Sequence, residues 1–326
     1  MNKAILPKVA KPIRYEVKLD IDLSNFKYTG SQDVELEIIK ETKSFEVNAI
    51  DIEIISALLF NEDDKEFDLT FEYLRDLERI SFTTSENIPV GKYSLQLEFN
   101  STITNDLKGF YKSQFLDLND NEKWIATTQF EPTSARNAFP CWDEPEYKAV
   151  FSISLTSDEK YLRVSNEKVL RENKLKDGRV ETLFVDSMKM STYLVAFVIG
   201  ELEVTEVGSV GDTQIRIIHR PGFSHQTSFA GTAGMKILEF FENYYQIPYP
   251  GSKLDLIAIP DFAMGAMENV GAVTFRESLL LIDESKATRQ ELSRSVSVIA
   301  HELAHMWFGD LVTMKWWDGI WLNEAF

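Results

Sequence analysis

The chain has 326 residues, a length for about two domains, with 44% hydrophobic and 26% charged residues. Its formal charge of −18 and pI near 4.7 argue against nucleic acid or an anionic membrane as partner. One cysteine, Cys141, excludes an intrachain disulfide and leans towards a reducing compartment, no apolar run approaches a membrane span, and the opening "MNKAILPKVAKPIRYEVKLD" lacks the apolar core of a secretory signal, so a cytoplasmic protein is expected.

The first part of the chain alternates. In "YEVKLDIDL", Tyr15, Val17, Leu19, Ile21 and Leu23 share a face, and in "DVELEII", Val34, Leu36 and Ile38 do the same. "SLQLEF" and "FSISL" repeat the pattern. A period of two with charges on the other face predicts half-buried strands, expected to be antiparallel. Turn-rich stretches such as "NEDDKE", "NDNE" and "KDG" separate them. "STYLVAFVIG" reads as one buried strand. Many short strands over some two hundred residues predict a large β-sandwich or curved-sheet domain.

Near residue 203 the period changes. Ile237, Leu238, Phe241, Tyr244 and Tyr245 form a helical stripe ended by "IPYPG". A second helix opens with a capping box, Thr288 and Glu291. Its face is Leu292, Val296, Ile299, Leu303 and Met306 or Trp307, and Gly309 follows. The expected domains are therefore 1–202, all β, and 203–326, rich in helix.

The second helix carries "HELAH". His301 and His305 lie one turn apart, so both imidazoles project from one face. Two ring nitrogens so placed can hold one zinc ion. Zinc acidifies water towards a pKa of ~7, and the carboxylate of Glu302, beside the first histidine, can take the proton. A catalytic zinc needs a third ligand. The candidates are Asp310, Asp318 and Glu324. Asp310 and Asp318 suit turns. Glu324 lies in "GIWLNEAF", the start of another helix, and a return through "LVTMKWWD" would bring it beside the histidines. His219 and His225 read as ordinary surface or loop residues, and the tryptophans of "KWWDGIW" as packing.

"HELAH", eighteen residues, then Glu324 in "WLNEAF" resembles the M1 (gluzincin) zinc aminopeptidases. "GAMENVGAVTFRE", "TTQFEPTSARNAFPCWDEP", "KMSTYLVAFVIGELE" and "WFGDLVTMKWWDGIWLNEAF" match the family in order, as does the opening "LPKVAKPIRYEVKLDIDL". The branch most resembled is the puromycin-sensitive and tricorn-interacting-factor one. The resemblance implies an α+β multidomain fold: an N-terminal β saddle or sandwich, then a thermolysin-like α+β catalytic domain truncated at its C-terminal side. It implies one Zn²⁺ per chain on His301, His305 and Glu324, with Glu302 as general base. It implies that Gly265, Ala266, Met267, Glu268 and Asn269 bind substrate. Glu268 and Glu131 would hold the free α-amino group of a peptide, so peptides are the expected partners, with no nucleic acid and no membrane.

The sequence departs from the family at Val270, where Trp is frequent, at Asp310, where Asn is, and at Ala325, where Gly is. Family members continue for hundreds of residues past the third ligand and carry an oxyanion-stabilising tyrosine there, which has no counterpart here. The resemblance therefore implies that residues 1–326 alone bind zinc weakly and turn over little or nothing. Two other readings stand beside the aminopeptidase. One is a non-catalytic binding module. The other is an epoxide hydrolase of the leukotriene A4 type, against which Glu131 and the alanine of "GAMEN" both speak.

Overall fold

The computed structural model describes residues 5–325. The alternating segments are strands, and their apolar faces are inside. Tyr15, Val17, Leu19, Ile21, Val34, Leu36 and Ile38 are all buried. The strand Ala10–Asp22 lies in an eight-stranded sheet, antiparallel to Lys27–Ile38 and parallel to Val150–Asp158. The parallel pairing corrects the all-antiparallel expectation. A parallel neighbour needs a crossover rather than a hairpin, and here more than a hundred residues, including a whole three-stranded sheet and two strands of a four-stranded one, lie between the two strands. Tyr15 stacks on Phe151 across that pairing at 4.8 Å between ring centroids.

The further sheets are a three-stranded one, of Thr42–Asn48, Arg79–Ile88 and Leu69–Leu74, and a four-stranded one. The latter pairs Leu162–Ser165, Phe197–Gly200, Glu122–Gln129 and Gly109–Leu116. "STYLVAFVIG" is thus only partly strand. Its first half is the short 3₁₀ turn Thr192–Leu194, and Phe197–Gly200 is the strand. The last five residues of Glu122–Gln129 are buried, and that strand runs directly towards Glu131.

A five-stranded sheet follows, in the order Glu203–Val210, Thr213–His219, Lys253–Ile259, Ala272–Arg276 and Ala266–Met267. The helices are α1 (Ser228–Tyr245), α2 (Glu277–Leu280), α3 (Arg289–His305) and α4 (Trp321–Glu324). Leu238 of α1 and Ile299 and Leu303 of α3 pack with Leu254, Leu256, Val273 and Phe275 of the sheet into one core. The periodic stripes fail at two positions. Tyr244 lies outside, stacked on Phe240, and Val296 is exposed while Ser295 is buried in its place. Each helix presents a narrower apolar face than the spacing suggests.

The two β-rich parts meet at a seam built from polar side chains. Asn166 donates to Leu194 O at 2.8 Å and Val270 O at 2.9 Å, and accepts from Ala196 N at 3.0 Å. Lys253, buried and paired with Asp255, donates to Ser165 O and Gly271 O at 2.9 and 2.6 Å. Gly271 has φ +73°, and a Cβ there would lie 1.9 Å from Asn166 O. No other residue type fits without moving the seam. Gly271→Ala is expected to cost about 2 kcal/mol or more, the left-handed penalty plus backbone displacement. Thermal denaturation checks this: an unchanged melting temperature would mean that the seam yields freely.

Candidate active site

The capping box that opens α3 is formed. Glu291 N donates to Thr288 Oγ1 at 3.3 Å, and Thr288 N to Glu291 Oε2 at 2.8 Å. Counting from that fixed start, the helix carries His301 and His305 on one face, with their Nε2 atoms 3.0 Å apart. The chain then turns back on itself, with Gly309 N bonded to Val312 O and Asp310 N to His305 O. It passes the 3₁₀ turn Trp317–Gly319 and enters α4. Glu324 reaches His301 Nε2 at 3.2 Å and His305 Nε2 at 3.9 Å.

Of the three acidic candidates, Glu324 is the one that joins both histidines; all three donor groups lie within 4.8 Å of one another. Asp318 is exposed. Asp310 lies in a turn, as expected, but a buried one. It is fully buried, neither carboxylate oxygen has a hydrogen-bond partner among the described residues, and Lys148 Nζ bonds its main-chain oxygen instead, at 2.9 Å. A tetrahedral zinc with bonds of ~2.0–2.1 Å spaces its ligand atoms about 3.3 Å apart. The separations of 3.0, 3.2 and 3.9 Å bracket that value, so two imidazoles and a carboxylate in this arrangement fit zinc. Burial and the neighbouring His301 hold the pKa of His305 down, which favours its neutral form. The hydrogen bond that His301 donates to Glu324 raises the pKa of His301 and lowers that of Glu324.

The second half of the site comes from the edge of the five-stranded sheet. Ala266–Met267 pairs only with Ala272–Arg276, leaving its other side unpaired in the sheet. Glu268 follows at once. It is buried, and its Oε1 has no partner among the described residues. Its carboxylate lies within 4.8 Å of donor atoms of Glu302 and His305 in one group, and of Glu131 and Glu324 in another. Glu131, brought by Glu122–Gln129, crosses from the other side of the seam. Burial and the charge of Glu268 push Glu131 up to about 9. Burial pushes Glu268 up to about 7 against its own backbone hydrogen bond. Glu302 is raised well above the carboxylate range by burial and then by Glu268.

Not every residue of the "GAMEN" run faces the site. Met267 is fully buried, its Sδ accepting from Gln129 Nε2 at 3.3 Å. Asn269 is buried with its amide turned to Ala272 O and Thr274 Oγ1, both at 3.4 Å. Their side chains hold the strand end in place. His219 is also not a surface residue. It is buried, between Thr205 Oγ1 at 2.9 Å and Arg220 O at 2.8 Å, whereas His225 is exposed. Trp317 packs edge-on to Tyr193, but Trp321 is 61% exposed.

Residues 11–194 match the peptidase M1 N-terminal domain and residues 229–326 the peptidase family M1 domain. The chain belongs to peptidase family M1. It is 40% identical over 330 residues to aminopeptidase M1-A of Oryza sativa subsp. japonica, covering 100% of this chain and 37% of that protein. It is 39% identical to the puromycin-sensitive aminopeptidase of Caenorhabditis elegans over 98% of this chain and 34% of that protein. With aminopeptidase 2, mitochondrial, of Saccharomyces cerevisiae the identity is 40% over 100% and 34%. The chain thus spans about a third of the length of these M1 relatives. No helix among the described residues is long and apolar enough to cross a membrane.

The raised carboxyls make stability depend on pH. A carboxyl whose folded pKa exceeds the unfolded value binds more protons when folded, so stability falls as pH rises through the interval between them. For Glu268 and Glu131 that interval runs from the ordinary carboxylate range up to about 7 and about 9. Glu268→Gln removes one charge from the cluster. The metal-free protein should then melt roughly 2–6 °C higher at pH 8, with little change at pH 5. Equal shifts at both pH values, measured by calorimetry, would contradict the electrostatic origin.

Proposed function

We propose that this chain supplies the metal and amino-terminus sites of a zinc aminopeptidase, which removes the first residue from peptides. The observation that carries the proposal is the place of Glu268. A buried carboxylate with an unpartnered oxygen lies within 4.8 Å of Glu302 and His305 on one side and of Glu131 and Glu324 on the other. An α-ammonium bound between Glu131 and Glu268 gains charge-assisted hydrogen bonds. In any peptide the first carbonyl carbon is only about 2.5 Å from that nitrogen, two bonds away. Holding the ammonium there leaves the first peptide bond, and no later one, beside the histidines. Distance makes the site an exopeptidase.

The residues divide the work. His301, His305 and Glu324 would hold one zinc ion, which when bound polarises a carbonyl and acidifies water. Glu302 takes the proton of the attacking water, and its raised pKa makes it the stronger base. It then returns the proton to the leaving nitrogen. The unpaired side of Ala266–Met267 offers main-chain groups along which an extended peptide can add as a further strand. The fully buried Cys141 and the absence of a second cysteine support a cytoplasmic setting.

The test uses the full-length gene product. It should contain equimolar zinc and cleave an aminoacyl-coumarin far faster than the N-acetylated compound. Equal rates on the two would remove the anchoring role of Glu131 and Glu268. Glu302→Ala should keep zinc and lose turnover by roughly 10²–10⁴-fold, and wild-type kcat in that variant would end its role as base. Glu268→Ala should chiefly raise KM for free-amine substrates.

A further inference from the structure

Tyr193 stands in the 3₁₀ turn Thr192–Leu194, on the far side of the seam from the histidines. Its ring is buried and meets Trp317 edge-on at 5.3 Å. A buried phenol needs partners for its hydroxyl, and this one has two. It donates to Gly309 O at 3.2 Å and accepts from Asn323 Nδ2 at 3.0 Å. Gly309 is four residues past His305, and Asn323 directly precedes Glu324. One oxygen atom therefore ties the chain just after the second histidine to the residue just before the third acidic group.

The space between them is closely filled. Gly309 has φ +139°, and a Cβ on it would lie 3.1 Å from His305 Nδ1 and 3.4 Å from Asn323 Nδ2. His305 Nδ1 is also 3.2 Å from Phe308 O. The imidazole, the Gly309 peptide, the phenol and the Asn323 amide thus form a continuous contact, ending at the backbone that carries Glu324. α4 is a single turn of four residues, and Glu324 is 42% exposed. Little else grips that carboxylate from its own helix.

We propose that Tyr193 is a positioning residue for the metal centre, setting the separation of Glu324 from His301 and His305 through Asn323 and Gly309. The proposal rests on the zinc reading above. It makes metal affinity depend on a residue 130 positions upstream of Asn323.

Tyr193→Phe keeps the ring against Trp317 and removes only the hydroxyl. Asn323→Ala cuts the same link from the other end. Zinc affinity of the purified protein is measured by competition with a chromophoric chelator, together with the melting temperature of the metal-free form. Each variant should bind zinc about 10–100-fold more weakly, as supporting partners of metal ligands typically do. The double variant should be hardly weaker than the worse single one, because both break one link. Wild-type zinc affinity in Tyr193→Phe, with or without a lower melting temperature, overturns the positioning role. So do losses that multiply in the double variant. A wild-type protein that binds no zinc overturns the zinc reading and this proposal together, whereas wild-type binding with unaffected variants overturns this proposal alone.

Discussion

Five carboxylates, Glu131, Glu268, Glu302, Glu324 and Asp310, act on one another electrostatically around two imidazoles. Burying like charges together is unfavourable, and the raised pKa values of four of them express that cost. An arrangement of this kind persists only where the surrounding structure forces it. It also has a chemical consequence: a cluster so rich in acceptors is suited to cations when its groups are held apart. The fold is best understood as the frame that enforces those separations.

That frame is a seam between two cores. Glu131 follows a strand whose last half is buried in the first core, Met267 and Val270 beside Glu268 pack in that core too, and α3 packs in the second. The join adds directional polar contacts to the apolar packing of Ile257, Ile259, Phe262 and Val270 against the first core: Asn166 on Val270 O, Lys253 on Gly271 O, Tyr111 OH on Asp261 O at 2.9 Å, and Gln114 N on Asp261 Oδ2 at 2.7 Å. Hydrogen bonds tolerate less displacement than apolar contacts do. A seam made of them fixes the distance between Glu131 and Glu268, on which a two-carboxylate grip on an ammonium depends.

What could be read in the sequence follows the range of the signal. The alternation of Tyr15 to Leu23, the capping box at Thr288 and the spacing of His301 and His305 are local, and each has its counterpart in the structure. The return of Glu324 to the histidines was readable only as one of three choices. The parallel pairing of Ala10–Asp22 with Val150–Asp158 was not readable, because periodicity does not encode which strand lies alongside. His219 was misplaced for a related reason. A polar residue at a strand end reads as exposed, and only the tertiary structure shows His219 buried against Thr205, as only it shows that the turn at Asp310 is buried. The hint for Tyr193 was its hydroxyl directly ahead of the apolar run "LVAFVIG", where a buried phenol needs a partner.

The side chains of Met267 and Asn269 sharpen how a motif should be read. Five consecutive residues resemble a substrate-binding signature, yet two of them turn inward. Asn269 locks the turn back to Thr274, and Met267 is met by Gln129 and packs in the core of the first part of the chain. Only Ala266–Met267 of the run is strand, and Glu268 and Asn269 follow it, so the five side chains have no common face to present to a ligand. Glu268 alone of the run places a carboxylate near Glu131, Glu302, His305 and Glu324. Met267 and Asn269, each held by a side-chain hydrogen bond, fix the backbone on either side of it.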